Sequence, residues 1–174
     1  MPMSRIINKK DKESFYKPTQ QPLHDDAYYM AMALTMAKRS ARRSEVPVGA
    51  VLVRGNEIIA KAGNTRESRI DPCGHAEINV LRKAAKKLGG WNLHHCTLYV
   101  TLEPCPMCAG ACVNARIERI VYGAADEKGG ACGSVVDLTR GFNHTIKAEG
   151  GVLAEQSAEL LRDFFKQKRS KIKN

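Results

Sequence analysis

Apolar residues recur along the chain with two different periods. Met30, Ala33, Leu34 and Ala37 fall at i, i+3, i+4 and i+7, the spacing of one helix face. Asp25 and Asp26 precede them as a helix start, and Lys38, Arg39, Arg42 and Arg43 follow where the helix dipole favours cations. Val46 to Val53 and Glu57 to Ala62 read as two strands joined at Arg54-Gly55-Asn56 into a hairpin. Asn64 to Gly74 is a polar loop. From His75 a second helix fits Ile78, Leu81, Ala85 and Leu88, and Gly89-Gly90 ends it. Thr97 to Thr101 predicts a short strand. Pro104 to Ala115 predicts a third helix with Pro106 in its first turn, where a missing N–H costs nothing. Ile117 to Tyr122 predicts another strand, and Val135 to Leu138 and Thr145 to Ala148 carry weaker strand signals. A terminal helix over Leu153 to Lys168 places Ala158, Leu161 and Phe165 on one side, so Phe165 rather than Phe164 is expected in the core.

An initial hairpin is antiparallel, whereas the later strand–helix–strand steps favour parallel pairing with right-handed crossovers. The expected architecture is α/β, a three-layer α/β/α sandwich with a mixed five-stranded central sheet. Residues 1–24 mix Lys, Gln, Pro and Ser with few apolar groups and predict a flexible basic arm. Residues 25–174 are expected to form one domain.

Charge sharpens this division. The formal net charge is +10, of which residues 1–24 carry +3 and residues 162–174 carry +5, leaving +2 for the stretch between. Basic ends on a nearly neutral body suit a polyanionic partner, and they equally suit solvated tails. The N-terminus lacks the apolar run of a secretory signal. Val46 to Val53 is far shorter than the roughly 20 apolar residues that a spanning helix needs. The expectation is a soluble, cytoplasmic protein with no membrane partner. The six cysteines, Cys73, Cys96, Cys105, Cys108, Cys112 and Cys132, then read as reduced thiols, some binding metal, rather than as a disulfide framework.

Two segments carry chemistry: His75-Ala76-Glu77 and Pro104-Cys105-Pro106-Met107-Cys108. Cys105 and Cys108 lie three apart at a helix start, so both sulfurs point to one side, and the unpaired N–H groups there favour thiolates. Two thiolates and one imidazole give three protein ligands for one zinc ion per chain. The fourth tetrahedral position stays open for water, as in catalytic rather than structural sites. Zinc lowers the pKa of bound water to about 7. Glu77, two residues from His75, is placed to accept the water proton, pass it to a ring nitrogen and then protonate a departing amine. Simpler readings exist. Cys-x-x-Cys alone also describes a redox pair, and a structural zinc would recruit a fourth ligand from Cys73, His94, His95, Cys96 or Cys112. The combination His-x-Glu and Pro-Cys-x-x-Cys matches the signature of zinc-dependent nucleobase deaminases.

With these residues in hand, the chain resembles the tRNA-specific adenosine deaminases of the cytidine deaminase superfamily. The resemblance covers about residues 25–170. It rests on Val46-Pro47-Val48-Gly49-Ala50-Val51, Asp71-Pro72 before His75-Ala76-Glu77, and Thr101 to Ala111 across the cysteine pair. Arg116-Ile117, Val121-Tyr122-Gly123, Leu160-Leu161 and Asp163-Phe164-Phe165 extend it.

The resemblance implies a cytidine deaminase-like fold and hydrolysis of adenosine to inosine at the wobble position of a tRNA anticodon, an arginine tRNA in bacterial members. It also implies a homodimer that binds the anticodon loop across its interface. By carry-over, His75, Cys105 and Cys108 hold zinc and Glu77 is the proton shuttle. Asn64 corresponds to a position that hydrogen-bonds the purine. Asp126 corresponds to one that contacts ribose, and Phe164 and Phe165 to positions near the RNA. The backbone N–H groups of Ala76 and Cys105 would orient the water. Cys73-Gly74 departs from the small residues more usual there, and the segment Asp137 to Asn143 is shorter than in some members.

Two rivals remain at this level. A guanine or cytosine deaminase acting on a free base or nucleotide would use the same metal and carboxylate. A catalytically dead RNA-binding subunit would be expected to lose the shuttle, and Glu77 is present.

Overall fold

A computed structural model describes residues 23–172. Helix α1 spans Asp26–Ala41. Asp25 caps it, its carboxylate accepting from the Tyr28 N–H at 2.9 Å. Strands β1 (Gly49–Arg54) and β2 (Glu57–Gly63) form the expected hairpin, turning at Gly55, whose φ of +59 suits glycine. A one-turn helix α2 (Arg66–Arg69) interrupts the segment expected to be loop. Helix α3 (Ala76–Leu88) ends on left-handed Gly89. Strand β3 (Cys96–Leu102), helix α4 (Pro106–Asn114), strand β4 (Arg119–Ala124), strand β5 (Lys147–Glu149) and helix α5 (Ala154–Ile172) follow.

The sheet order is β2-β1-β3-β4-β5. β1 pairs antiparallel with both β2 and β3, whereas β3–β4 and β4–β5 are parallel. The β2–α3–β3 step is therefore also parallel in sense, with β1 lying between its strands. Helix α3 packs Val80, Leu81 and Ala84, and α4 packs Cys112 and Val113, against Ala50, Leu52, Leu98, Val100 and Ile120 on one face. Helix α1 packs Tyr29, Met30 and Ala33 against Val51, Val53, Tyr99 and Val121 on the other, with Val152 and Leu153 at the entry to α5. This is the expected three-layer sandwich on a mixed five-stranded sheet. Gly49 makes the close approach of α1 possible: a Cβ there would come within 2.0 Å of the Ala33 carbonyl oxygen.

Several expectations need correction. Val135 to Leu138 is not a strand; a single antiparallel bridge, Cys132 to Asp137, is all that forms. The backbone before it is tied instead to the Glu103 carboxylate, which accepts from the Cys132 and Ser134 N–H groups at 2.9 and 3.1 Å. The fifth strand starts at Lys147 rather than Thr145. Helix α2 exists because buried Glu45 accepts from the Glu67 and Ser68 N–H groups at 3.1 and 2.8 Å, a cap supplied from 22 residues upstream.

Phe165 is not core but 40% exposed, while Phe164 is half-buried. The buried stripe of α5 is set by Ser157, which faces Gly123, and by Leu161. Counting from Ser157 at about 100° per residue, Phe164 lies roughly 20° away and Phe165 roughly 80°. A polar residue at the stripe's centre hid its direction in the sequence. Of the predicted arm, residues 1–22 lie outside the described residues. Leu23 already contacts the fold, its N–H donating to Asn56 Oδ1 at 2.7 Å.

Candidate active site

Helices α3 and α4 begin side by side, and their first turns supply the site. His75 is the N-cap of α3 and Cys105 the N-cap of α4, both in extended backbone, and neither side chain caps its own helix. Their side chains are therefore free to point at each other. The His75 Nδ1 lies 3.7 Å from Cys105 Sγ and 3.5 Å from Cys108 Sγ. All three donor atoms lie within 4.8 Å of one another. A tetrahedral zinc with ordinary Zn–S and Zn–N lengths would separate sulfur and nitrogen ligands by about 3.6 Å. The donor set and its spacing both fit that ion. None of Cys73, Cys96 and Cys112 joins this group, and His94 and His95 belong to a separate one. Three ligands with no fourth among the described residues is the catalytic pattern.

Electrostatics agree with that use. The Cys105 thiol is held down to about 4, chiefly by a hydrogen bond from Cys108 and also by one from His75. Cys108 is pushed up by that same hydrogen bond to Cys105 and by burial. Contact with Cys105 raises the His75 imidazole above its ordinary value.

Glu77 is 4% exposed and sits in the first turn of α3 beside this cluster. Burial pushes its carboxyl up to about 7, and contact with the Cys108 side chain opposes that rise only in part. A carboxyl poised near neutrality suits proton transfer in both directions.

Asn64 is also buried, and its Oδ1 accepts from the Ala76 N–H at 2.8 Å. The Ala76 N–H, expected to orient a water, is thus taken by Asn64. Asn64 Nδ2 has no protein acceptor among the described residues and remains a donor. Asp126 lies in the loop after β4. Its N–H donates to Glu103 Oε2 at 3.0 Å, and its Oδ1 accepts from the Lys128 and Gly129 N–H groups. Phe165, exposed on α5, lines a surface cavity of about 770 Å³ with Lys128, Arg162 and Arg169.

Three positioning residues escaped the sequence reading. Glu45 holds α2 in place. Asn79 Nδ2 donates to the Gly63 carbonyl at 2.9 Å and to Thr65 Oγ1 at 3.0 Å, fixing the Asn64 segment onto α3. Glu103 is 2% exposed and accepts from three N–H groups and the Ser134 hydroxyl. A carboxylate immediately before Pro104-Cys105, in an otherwise apolar strand end, was the one available signal.

The family model described as MafB19-like deaminase matches residues 24–169. The tRNA-specific adenosine deaminase of Bacillus subtilis (strain 168) is 48% identical over 150 residues, covering 85% of this chain and 93% of that relative. A solved structure from studies of A-to-I editing by tRNA:A34 deaminases at the wobble position of transfer RNA superposes with a TM-score of 0.74. It is 44% identical and covers 77% of this chain and 99% of its own. A guanine deaminase from Bacillus subtilis is also similar, with a TM-score of 0.56 and 38% identity, covering 59% of this chain and 66% of its own. With a relative this similar along nearly its whole length, the chain belongs to the tRNA-specific adenosine deaminase family and is an enzyme of the deaminase class.

Proposed function

We propose that the chain hydrolyses adenosine to inosine at the wobble position of a tRNA anticodon, using one zinc ion held by His75, Cys105 and Cys108. The observation that carries this reading is the buried Glu77 carboxyl beside three converging metal donors that no fourth joins among the described residues. When bound there, zinc makes water nucleophilic at neutral pH.

Glu77 takes the proton of the attacking water and delivers it to the purine ring nitrogen. It then transfers the second proton to the exocyclic amine, which leaves as ammonia. Asn64, fixed through Ala76, offers its Nδ2 to a ring acceptor, and the Cys105 N–H is available to orient the water. Asp126, held by Glu103, is presented to the ribose, where a carboxylate accepting from a 2′-hydroxyl would favour RNA. Phe165, exposed on α5 beside Lys128, Arg162 and Arg169, is offered to the RNA as a stacking surface. An anticodon base is already unpaired, so extruding it costs little.

The same reading takes the protein to be a homodimer in the cytoplasm acting on an arginine tRNA. Among the described residues no helix is long and apolar enough to cross a membrane. The test is direct. Purified zinc-loaded protein is incubated with an anticodon stem-loop carrying A at the wobble position and, separately, with free guanine and cytidine. Inosine from the stem-loop is expected. Xanthine or uridine with no inosine would transfer the assignment to a small-molecule base.

A further inference from the structure

The net charge of residues 25–161 is only +2, yet their cations are not spread evenly. A groove of about 570 Å³ crosses edge strand β2, between the end of α1 and helix α3. Arg39 and Arg43 enter it from the α1 side, Lys61 from β2 and Arg69 from α2. Arg82, Lys83 and Lys86 line it from α3. All seven are exposed, and among the described residues no acidic one lines the groove. One of the seven has an acidic partner close by: Asp71 lies 3.7 Å from Arg82. Lys83 Nζ donates to the Lys61 carbonyl at 3.1 Å, which neutralises nothing. By contrast Lys87, the next lysine on α3, pairs with Glu57 at 2.9 Å.

Ordinary reasons account for part of this. Arg39 and Lys86 sit in last helical turns, where the dipole favours cations, and a lysine protects an edge strand from pairing. The same dipole reason covers Arg69 at the end of α2 and Arg43 just beyond α1, but neither reason reaches Arg82 and Lys83 in mid-helix. Seven like charges around one concavity raise the local potential and concentrate anions there. The groove wall also contains Asn64 and Thr65, and Asn64 is bonded to Ala76 at the start of α3. The groove thus adjoins the His75, Cys105 and Cys108 centre. A free base would have no use for it, because nucleobases carry no charge.

We propose that this groove grips the phosphodiester backbone of a base-paired RNA stem, the one that closes the loop whose unpaired base enters the site. The proposal rests on the RNA-substrate reading above. It places the main electrostatic grip on the folded body rather than on the basic chain ends alone.

The test compares the full zinc-loaded chain with Arg82→Ala/Lys83→Ala/Lys86→Ala, and with the control Lys87→Ala/Arg140→Ala/Lys147→Ala drawn from other exposed sites. Binding is followed by fluorescence anisotropy across a salt series, on a stem-loop and on the bare loop. Initial rates give KM and kcat. The groove variant should bind the stem-loop about 10–100-fold more weakly, with a log–log salt slope shallower by roughly two to three. KM should rise with kcat unchanged, and the bare loop should respond far less. Arg82→Gln and Lys86→Gln alone should each give about a threefold loss, so the result does not depend on the triple variant folding well.

Wild-type affinity and salt slope in the groove variant would overturn the proposal. Equal losses on stem-loop and bare loop, or in the control, would do the same. Failure of the wild type to make inosine is a separate outcome: it sinks the substrate assignment and is read without any variant.

Discussion

Two groups of metal-ligating side chains lie at opposite ends of strand β3. Beyond its C-terminal end, Cys105 joins His75 and Cys108. Before its start, His94 and His95 meet Glu118, which precedes β4. Both groups hold three donors within the same 4.8 Å, so proximity does not separate them. Surroundings do. The first is partly or wholly buried at two converging helix starts, and a buried carboxyl stands beside it without belonging to the donor set. The second is exposed throughout. There the carboxylate is an ordinary surface partner, accepting from or facing His95 Nδ1 at 3.1 Å. An exposed pair of this kind contributes at most about 1 kcal/mol. A catalytic centre needs donors that water does not reach freely and a proton carrier that is not itself a ligand.

The strongest way to break this comparison is to remove one donor from each group. His75→Ala or Cys105→Ser should release the metal and with it all turnover, as read by metal analysis of the purified protein and by inosine formation. His94→Ala should leave both within about twofold of wild type, the range usual for surface substitutions. A metal content of one per chain in His75→Ala, or its loss in His94→Ala, would reverse the assignment of the two groups.

Next in size is the pair of carboxylates. Glu77→Gln should retain one metal per chain while turnover falls about 10²–10⁴-fold, the usual worth of a positioned proton carrier. Glu118→Gln should change neither. Metal loss in Glu77→Gln would make Glu77 a ligand rather than a shuttle.

The contrast between the groups also explains which parts of the molecule are legible in its sequence. His75, Glu77, Cys105 and Cys108 were legible because their chemistry is local: short spacings at helix starts impose one geometry. Strands β1 to β4 were legible because their apolar runs are long. What escaped was set by distant partners. Helix α2 depends on Glu45, and the segment after Cys132 depends on Glu103; in each case a buried carboxylate replaces the local pattern. Phe165 was misplaced because Ser157, a polar residue, occupies the centre of the buried stripe. The basic groove was invisible for a related reason. Its cations come from four elements, and acids elsewhere in the body cancel them in the sequence total.

The smallest effect concerns a third charged group, one residue beyond Glu118. Arg119 donates to both oxygens of Asp26 at 2.8 and 2.7 Å, and its Nε donates to Glu149 at 2.8 Å. The Tyr99 hydroxyl donates to the same Asp26 at 2.8 Å. Unlike the Glu118 pair, this network ties the start of α1 to β3, β4 and β5. Asp26 is one-third exposed, so screening limits its worth, and Asp26→Asn should cost about 1–2 kcal/mol at pH 7. The hydrogen bonds from Arg119 hold the Asp26 carboxyl below its ordinary 3.8. A depressed folded-state value means the stabilisation is complete above pH 3.8 and is lost as pH falls through the lower folded value. Urea unfolding of the metal-free protein should therefore show a gap between wild type and Asp26→Asn at pH 7 that narrows below pH 3.8. In the same assay Glu118→Gln should stay within about 0.5 kcal/mol of wild type, as surface substitutions usually do. An Asp26→Asn gap that persists unchanged in acid would mean that Asp26 works through neutral hydrogen bonding and packing, and that its ion pair adds no more than the exposed one beside it.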